Sequence, residues 1–193
     1  MESINTQIFL ELNSNVGRFP LFDSFIKIVV SDYLLPVLYS VVLLGLWFGS
    51  AQRPDRDKIQ TSVLVAAVAV GITSLEVMLI NNHYFAPRPF SQHEVNLLFY
   101  PPTDPSFPAN PVAIAFAITG SVWMSNRRLG FLLGIGAGVF AFSRVYAGVF
   151  YPLDVIAGAF LGVGTARLLW GILTTWRPIP MYFIRAMRFF CLA

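Results

Sequence analysis

Five apolar runs, each close to the length needed to cross a bilayer and parted only by short polar segments, constrain this chain more than any other feature. They lie near Leu34–Ser50, Thr61–Asn81, Pro111–Ser125, Leu129–Tyr146 and Asp154–Thr175. In hydrocarbon the backbone N–H and C=O groups must pair within the segment, so such runs become helices. A span takes about 17 to 25 residues, so the third run has either to recruit residues 107 to 110 or to sit in thin, protein-lined surroundings. Composition agrees, since 56% of the 193 residues are hydrophobic and 12% are charged, too apolar a balance for a soluble domain. The expected fold is all-α, a polytopic membrane helical bundle with about five transmembrane helices. No repeat or low-complexity tract divides it, so residues 1 to 193 read as a single transmembrane domain.

The flanks read as interfacial helices. Met1–Asn15 carries acids and alternates polar with apolar residues, which is not the pattern of a cleavable signal. Ile4, Ile8, Phe9 and Leu12 share one helical face and suit a helix lying along the membrane. At the other end "RPIPMYFIRAMRFFCLA" joins arginines to aromatics, which fits a second interfacial helix and equally a docking surface. A lone cysteine, Cys191, excludes an internal disulfide and any cysteine metal site. No metal constellation stands elsewhere, and no metal or other cofactor is expected.

Basic residues set the topology. With five alternating helices, Arg53, Arg56, Lys58, Arg127, Arg128, Arg167, Arg177, Arg185 and Arg188 share one side, against Arg18, Lys27, Arg88 and Arg144 on the other. That asymmetry makes the first side, with the C-terminus, cytoplasmic and turns the 82–110 loop outward. The net charge of +3 is accounted for by helix ends facing anionic lipid, so no nucleic-acid partner is implied.

Two outward arginines stand nearly alone among uncharged residues, Arg88 in "NNHYFAPRPF" and Arg144 in "FSRVYAGVFYPLDVIAG". A cation at such a site needs an acid or an anion, and a guanidinium matches phosphate with paired donors. Snorkelling, or pairing with Asp154, Glu94 or Asp104, is the competing account. Between them, "DPSFPANPVAIAF" opens the third span. Asn110 followed by Pro111 reads as helix capping, with the asparagine taking free amides and the proline at the first helical position.

Asn81-x6-Arg88-Pro89, Pro108-Ala109-Asn110-Pro111 and Ser143-Arg144-x5-Phe150-x3-Asp154 together resemble the three-part signature K-x6-RP, PSGH and SR-x5-H-x3-D. That signature belongs to the type 2 phosphatidic acid phosphatase (PAP2) superfamily. The segment "INTQIFLELNS" is similar to the start of its bacterial undecaprenyl-pyrophosphate phosphatase branch, which implies a bacterial cytoplasmic membrane. The resemblance implies a phosphohistidine mechanism. The nucleophilic histidine matches Phe150, the aspartate orienting it matches Asp154, and the histidine that protonates the leaving oxygen matches Pro111. Residues matching Asn81, Arg88, Ala109 and Arg144 would hold the phosphate. Here Phe150, Pro111 and Ala109 have no nucleophile, acid or hydroxyl to offer, and Asn81 stands in place of a lysine. Arg88 and Arg144 remain as phosphate-binding candidates, with Asp154, Asn81 and Asn110 around them.

Three functions follow as expectations. One is a catalytically silent accessory or scaffold subunit that touches other membrane proteins. The others are a binder of anionic lipid phosphates without turnover, and a phosphatase with rearranged chemistry. His83 and His93, the chain's two histidines, flank Arg88 and are the replacement nucleophiles the third reading requires, with ordinary loop histidines as the alternative. Glu76 inside the second span is either functional or bonded to a hydroxyl or arginine across the bundle. Gly130, Gly134 and Gly138 on the fourth span, and Gly158 and Gly162 on the fifth, are expected to bring helices of the bundle together.

Overall fold

The computed structural model describes residues 4–49, 55–176 and 178–189. Met1, Arg53, Arg177 and Cys191, named above, lie outside them, as does Ser50 at the end of the first run. Nine helices follow in order among the described residues: α1 (Ile4–Asn13), α2 (Pro20–Val29), α3 (Leu34–Gly49), α4 (Arg56–His83), α5 (Pro89–Gln92), α6 (Asn110–Ser125), α7 (Arg127–Tyr146), α8 (Pro152–Thr175) and α9 (Pro178–Phe189). Each apolar run has become a helix. By length and composition α4, α7 and α8 are able to cross a membrane, and α2 with α3 make a fourth candidate bent by 50° at their junction. The expected third span, α6, has 16 residues. At 1.5 Å per residue it measures about 24 Å, short of a hydrocarbon core of about 30 Å.

Its shortness is explained by position. α6 is the central helix, packed against α4, α7 and α8, with Val112, Ala113, Ala115, Ala117 and Val122 buried. Protein surrounds most of it, and Trp123 near its end stays exposed. Two glycines of α8 set the spacing. A Cβ on Gly158 would stand 2.6 Å from the Ala109 carbonyl oxygen, and one on Gly162 would run into the carbonyl of Ala113. Gly130 of α7 lies as tightly on the backbone of Trp123. Gly138, by contrast, meets nothing and takes no part in the expected seam.

Asn126 both ends α6 and starts α7, its side chain accepting from the Leu129 amide at 3.1 Å. That one-residue connection carries Arg127 and Arg128 to the end of the bundle where α4 begins, and Ser62 and Ser125 bond there at 2.7 Å. The flanking helices are docked more firmly than a helix lying on a membrane. Phe9 of α1 is fully buried against the Tyr151 ring, while Ile4 and Ile8 stay exposed. α9 buries Ile184, and its Arg188 binds Asp57 at 2.6 Å and Gln60 at 2.6 Å, leaving Tyr182 and Phe183 exposed. Glu76 accepts from Thr165 of α8 at 2.7 Å, a hydroxyl bond across the bundle.

Candidate functional site

At the other end of the bundle, Arg88 precedes a proline, which favours extended backbone, and its φ of −78° and ψ of 156° comply. The side chain turns inward and is 5% exposed. Its Nε donates to the Asp104 carbonyl at 2.7 Å, Nη1 to the Val149 carbonyl at 3.2 Å, and Nη2 pairs with the Asp104 carboxylate at 3.0 Å. The guanidinium lies over the Phe150 ring, 4.3 Å from its centre. Burial pulls this guanidinium below its ordinary pKa and Asp104 pulls it back.

Arg144 occupies the last turn of α7, where a cation suits the helix dipole. It is 2% exposed, between Phe99 at 4.6 Å and Phe140 at 4.7 Å, and its Nη2 meets Asp32 Oδ1 at 2.6 Å. Asp32 also accepts from the Tyr100 hydroxyl at 2.6 Å. Burial pushes the Asp32 carboxyl up, but bonds from Tyr100 and Arg144 together with the Arg144 charge outweigh it and leave the pKa below 3.8. Both partner carboxylates reach the surface, Asp32 being 40% and Asp104 57% exposed.

Asp154, three residues into α8, accepts from the Tyr151 amide at 3.1 Å and from the buried Ser106 hydroxyl. Its own carbonyl accepts from the Ala109 amide at 3.0 Å. Asp154 thus ties the 104–109 loop to the start of α8. Phe150 is 1% exposed. The turn that carries it depends on Gly148, whose φ of +87° is one that L side chains rarely adopt. Pro111 lines a small cavity of about 100 Å³ together with Asp32, Tyr39 and Arg144.

The bundle therefore gathers Arg88, Arg144, Phe150, Asp154 and Ala109 at one end, with Asn81 in the last turn of α4 and Asn110 at the first residue of α6. Asn110 does not cap. Ala109 is the cap residue, since its carbonyl accepts the first helical bond from the Ala113 amide at 3.0 Å; the helix thus starts one residue earlier than the Asn-Pro pair suggests, on a residue with no side-chain acceptor. The Oδ1 atoms of Asn81 and Asn110 and the Nε of Arg144 are buried without a hydrogen-bond partner among the described residues. Arg88 takes an anticipated partner in Asp104. Arg144 takes one that was not anticipated, Asp32. His83 bonds its own helix at Leu79, and His93 packs edge-on to Tyr151. Ser106 escaped notice in the sequence as an ordinary loop serine. Asp32 was findable, as an acid in the α2–α3 connector on the arginines' side. Chemically the cluster is able to hold an anion, and the hydroxyl with a carboxylate beside it is Ser106.

Two buried arginines and an aspartate are thus gathered at one end of a helical membrane bundle. The chain belongs to the PAP2 superfamily, whose profile matches residues 60–178. It is 30% identical over 184 residues to undecaprenyl-diphosphatase BcrC of Bacillus subtilis, covering 94% of this chain and 91% of that one. LpxE of Aquifex aeolicus superposes with a TM-score of 0.67 at 27% identity, over 88% of this chain and 96% of the other. A PAP2-type phosphatidylglycerolphosphate phosphatase from Bacillus subtilis gives a TM-score of 0.65 at 19% identity, over 89% and 85%, which supports the fold alone.

Proposed function

We propose that this chain is a non-hydrolysing PAP2 protein that serves as an accessory or scaffold subunit among other membrane proteins. The observation that carries this reading is the Phe150 ring beneath the Arg88 guanidinium, at the position the signature gives to its nucleophile. A phenyl ring has no lone pair to attack phosphorus, and Pro111 has no proton to give a leaving oxygen. Both arginines are also neutralised internally, by Asp104 and Asp32, and Asp154 serves as a loop clamp. The whole chain acts as one domain in a bacterial cytoplasmic membrane, with this cluster outward and the C-terminus inside.

A second reading has its own support. The half-exposed carboxylates and the unpartnered Arg144 Nε suit a protein that binds a lipid phosphate without turning it over. The test common to both is phosphate release in nanodiscs from undecaprenyl pyrophosphate, the substrate class of the named relative, and from phosphatidic acid. The expected rate equals the protein-free background. A rate that Arg144→Ala abolishes would refute the non-hydrolysing reading and turn attention to Ser106, His83 and His93.

A further inference from the structure

We infer that the trough between α7 and α8 binds one anionic phospholipid, an acyl chain lying along the trough and the head-group phosphate resting on Arg167. The site lies apart from the arginine cluster and stands whether or not the chain hydrolyses anything.

The trough follows from how the glycines are used. Gly130 draws α7 onto α6, while Gly158 and Gly162 draw α8 onto α6. Spent on α6, these close approaches leave α7 and α8 little contact with each other. A cavity of about 510 Å³ remains, floored by Phe116 and Trp123 of α6 and walled by Phe131 and Ile135 of α7 and Val163 of α8. Arg167 lines the same cavity. Its guanidinium forms no ion pair or hydrogen bond among the described residues.

Depth and size choose the occupant. Arg167 stands eight residues before the end of α8 at Thr175, about 12 Å along the axis. Trp123, two residues from the end of α6, lies at the same end of the bundle, and tryptophan prefers the head-group level. An exposed arginine at that depth can extend toward the interface, where anionic head groups lie, and a phosphate accepts two of its donors at once. A partner helix carrying an acid would supply charge too. Yet a helix is about 10–12 Å across, whereas this cavity falls in the range of small-molecule sites, about 300 to 1,000 Å³. A single hydrocarbon chain matches a trough of that volume.

The test is native mass spectrometry of the full chain in detergent, titrated with phosphatidylglycerol. One adduct is expected to saturate first, with phosphatidylcholine binding more weakly. Arg167→Gln should weaken that adduct roughly tenfold, the loss of about one charge-assisted hydrogen bond, and Arg167→Lys should retain most of it. Gly134→Leu places a side chain in the trough away from Arg167, its Cβ meeting Thr119 at an ordinary 3.6 Å, and with a melting temperature near wild type as its folding control it should lose the adduct. Equal binding by the wild type and Arg167→Gln overturns the inference, as does equal binding of the two lipids. A photocrosslinker at Phe131 that captures a protein segment in the native membrane overturns it as well.

Discussion

Replacing Asp32 with asparagine tests whether Arg144 has become a structural cation. The substitution keeps the shape of the carboxylate but removes its charge, leaving a guanidinium 2% exposed with two aromatic rings for company. Breaking a fully buried ion pair costs about 3 to 5 kcal/mol. Asp32 is 40% exposed, so water replaces part of what is lost, and the value for a charged hydrogen bond, about 1.5 to 3 kcal/mol, is the better guide. The rings keep their cation–π attraction, about 0.5 to 1 kcal/mol at exposed sites and more when desolvated. A net loss of about 2 kcal/mol follows, which for a domain of this size corresponds to roughly 4 to 8 °C in melting temperature. Thermal unfolding in nanodiscs reads it, and a double-mutant cycle with Arg144→Gln isolates the pair from its surroundings. The removals should be strongly non-additive, because the arginine's burial is penalised only while its charge remains. A shift within about 1 °C of wild type, or additive effects, would refute a structural role. If Arg144 instead waits for phosphate, Asp32→Asn should tighten binding of a lipid phosphate while stability stays level.

Two further outcomes are expected. Gly162→Leu should abolish the folded bundle or cost more than 4 kcal/mol, since the added atoms meet the Ala113 carbonyl and the Ala117 amide rather than flexible side chains, whereas Gly138→Leu, with nothing near it, should change the melting temperature little. The Asp32 carboxyl titrates below its ordinary 3.8 in the folded state, so its contribution is complete above that value and is lost as pH falls through the folded pKa. Stability measured from pH 7 down to 5 should therefore not register this pair, and Asp32→Asn should flatten only the limb below about pH 4.

The helices were legible because hydrocarbon forces apolar runs into one secondary structure, and the arginines because isolated cations stand out where charge is scarce. Their partners were less so. Asp104 lies 16 residues from Arg88, within one loop, while Asp32 lies 112 residues from Arg144 and is brought to it only by tertiary packing. Asn110-Pro111 carries a good capping signal, yet the first helical bond runs to the Ala109 carbonyl, in a loop that a distant carbonyl, that of Asp154, anchors through the Ala109 amide. α6 was short by count, and of the two ways open to it the structure takes the protein-lined one, among α4, α7 and α8. Of the five glycines, Gly130, Gly158 and Gly162 make close approaches, Gly134 makes ordinary contact with Thr119 and Gly138 meets nothing among the described residues, since spacing fixes a helical face but not what stands opposite each turn of it.

The seating of α1 has a bearing on how the chain is made. Asn13 spends its amide on the carbonyls of Asn96 and Tyr146, each at 3.0 Å, and accepts from the Asn96 amide at 2.8 Å. One of those partners is 133 residues downstream. At a synthesis rate of about 5 to 20 residues per second, the first helix leaves the ribosome roughly 7 to 27 s before the end of α7 exists to receive it. Until Asn96, and then the end of α7, have been made, α1 lacks these partners, and its apolar face can rest on the bilayer surface. The helix is thus a membrane passenger during synthesis and a bundle component afterwards, and an N-terminal fusion that delays its docking would be felt at the turn beside Arg144.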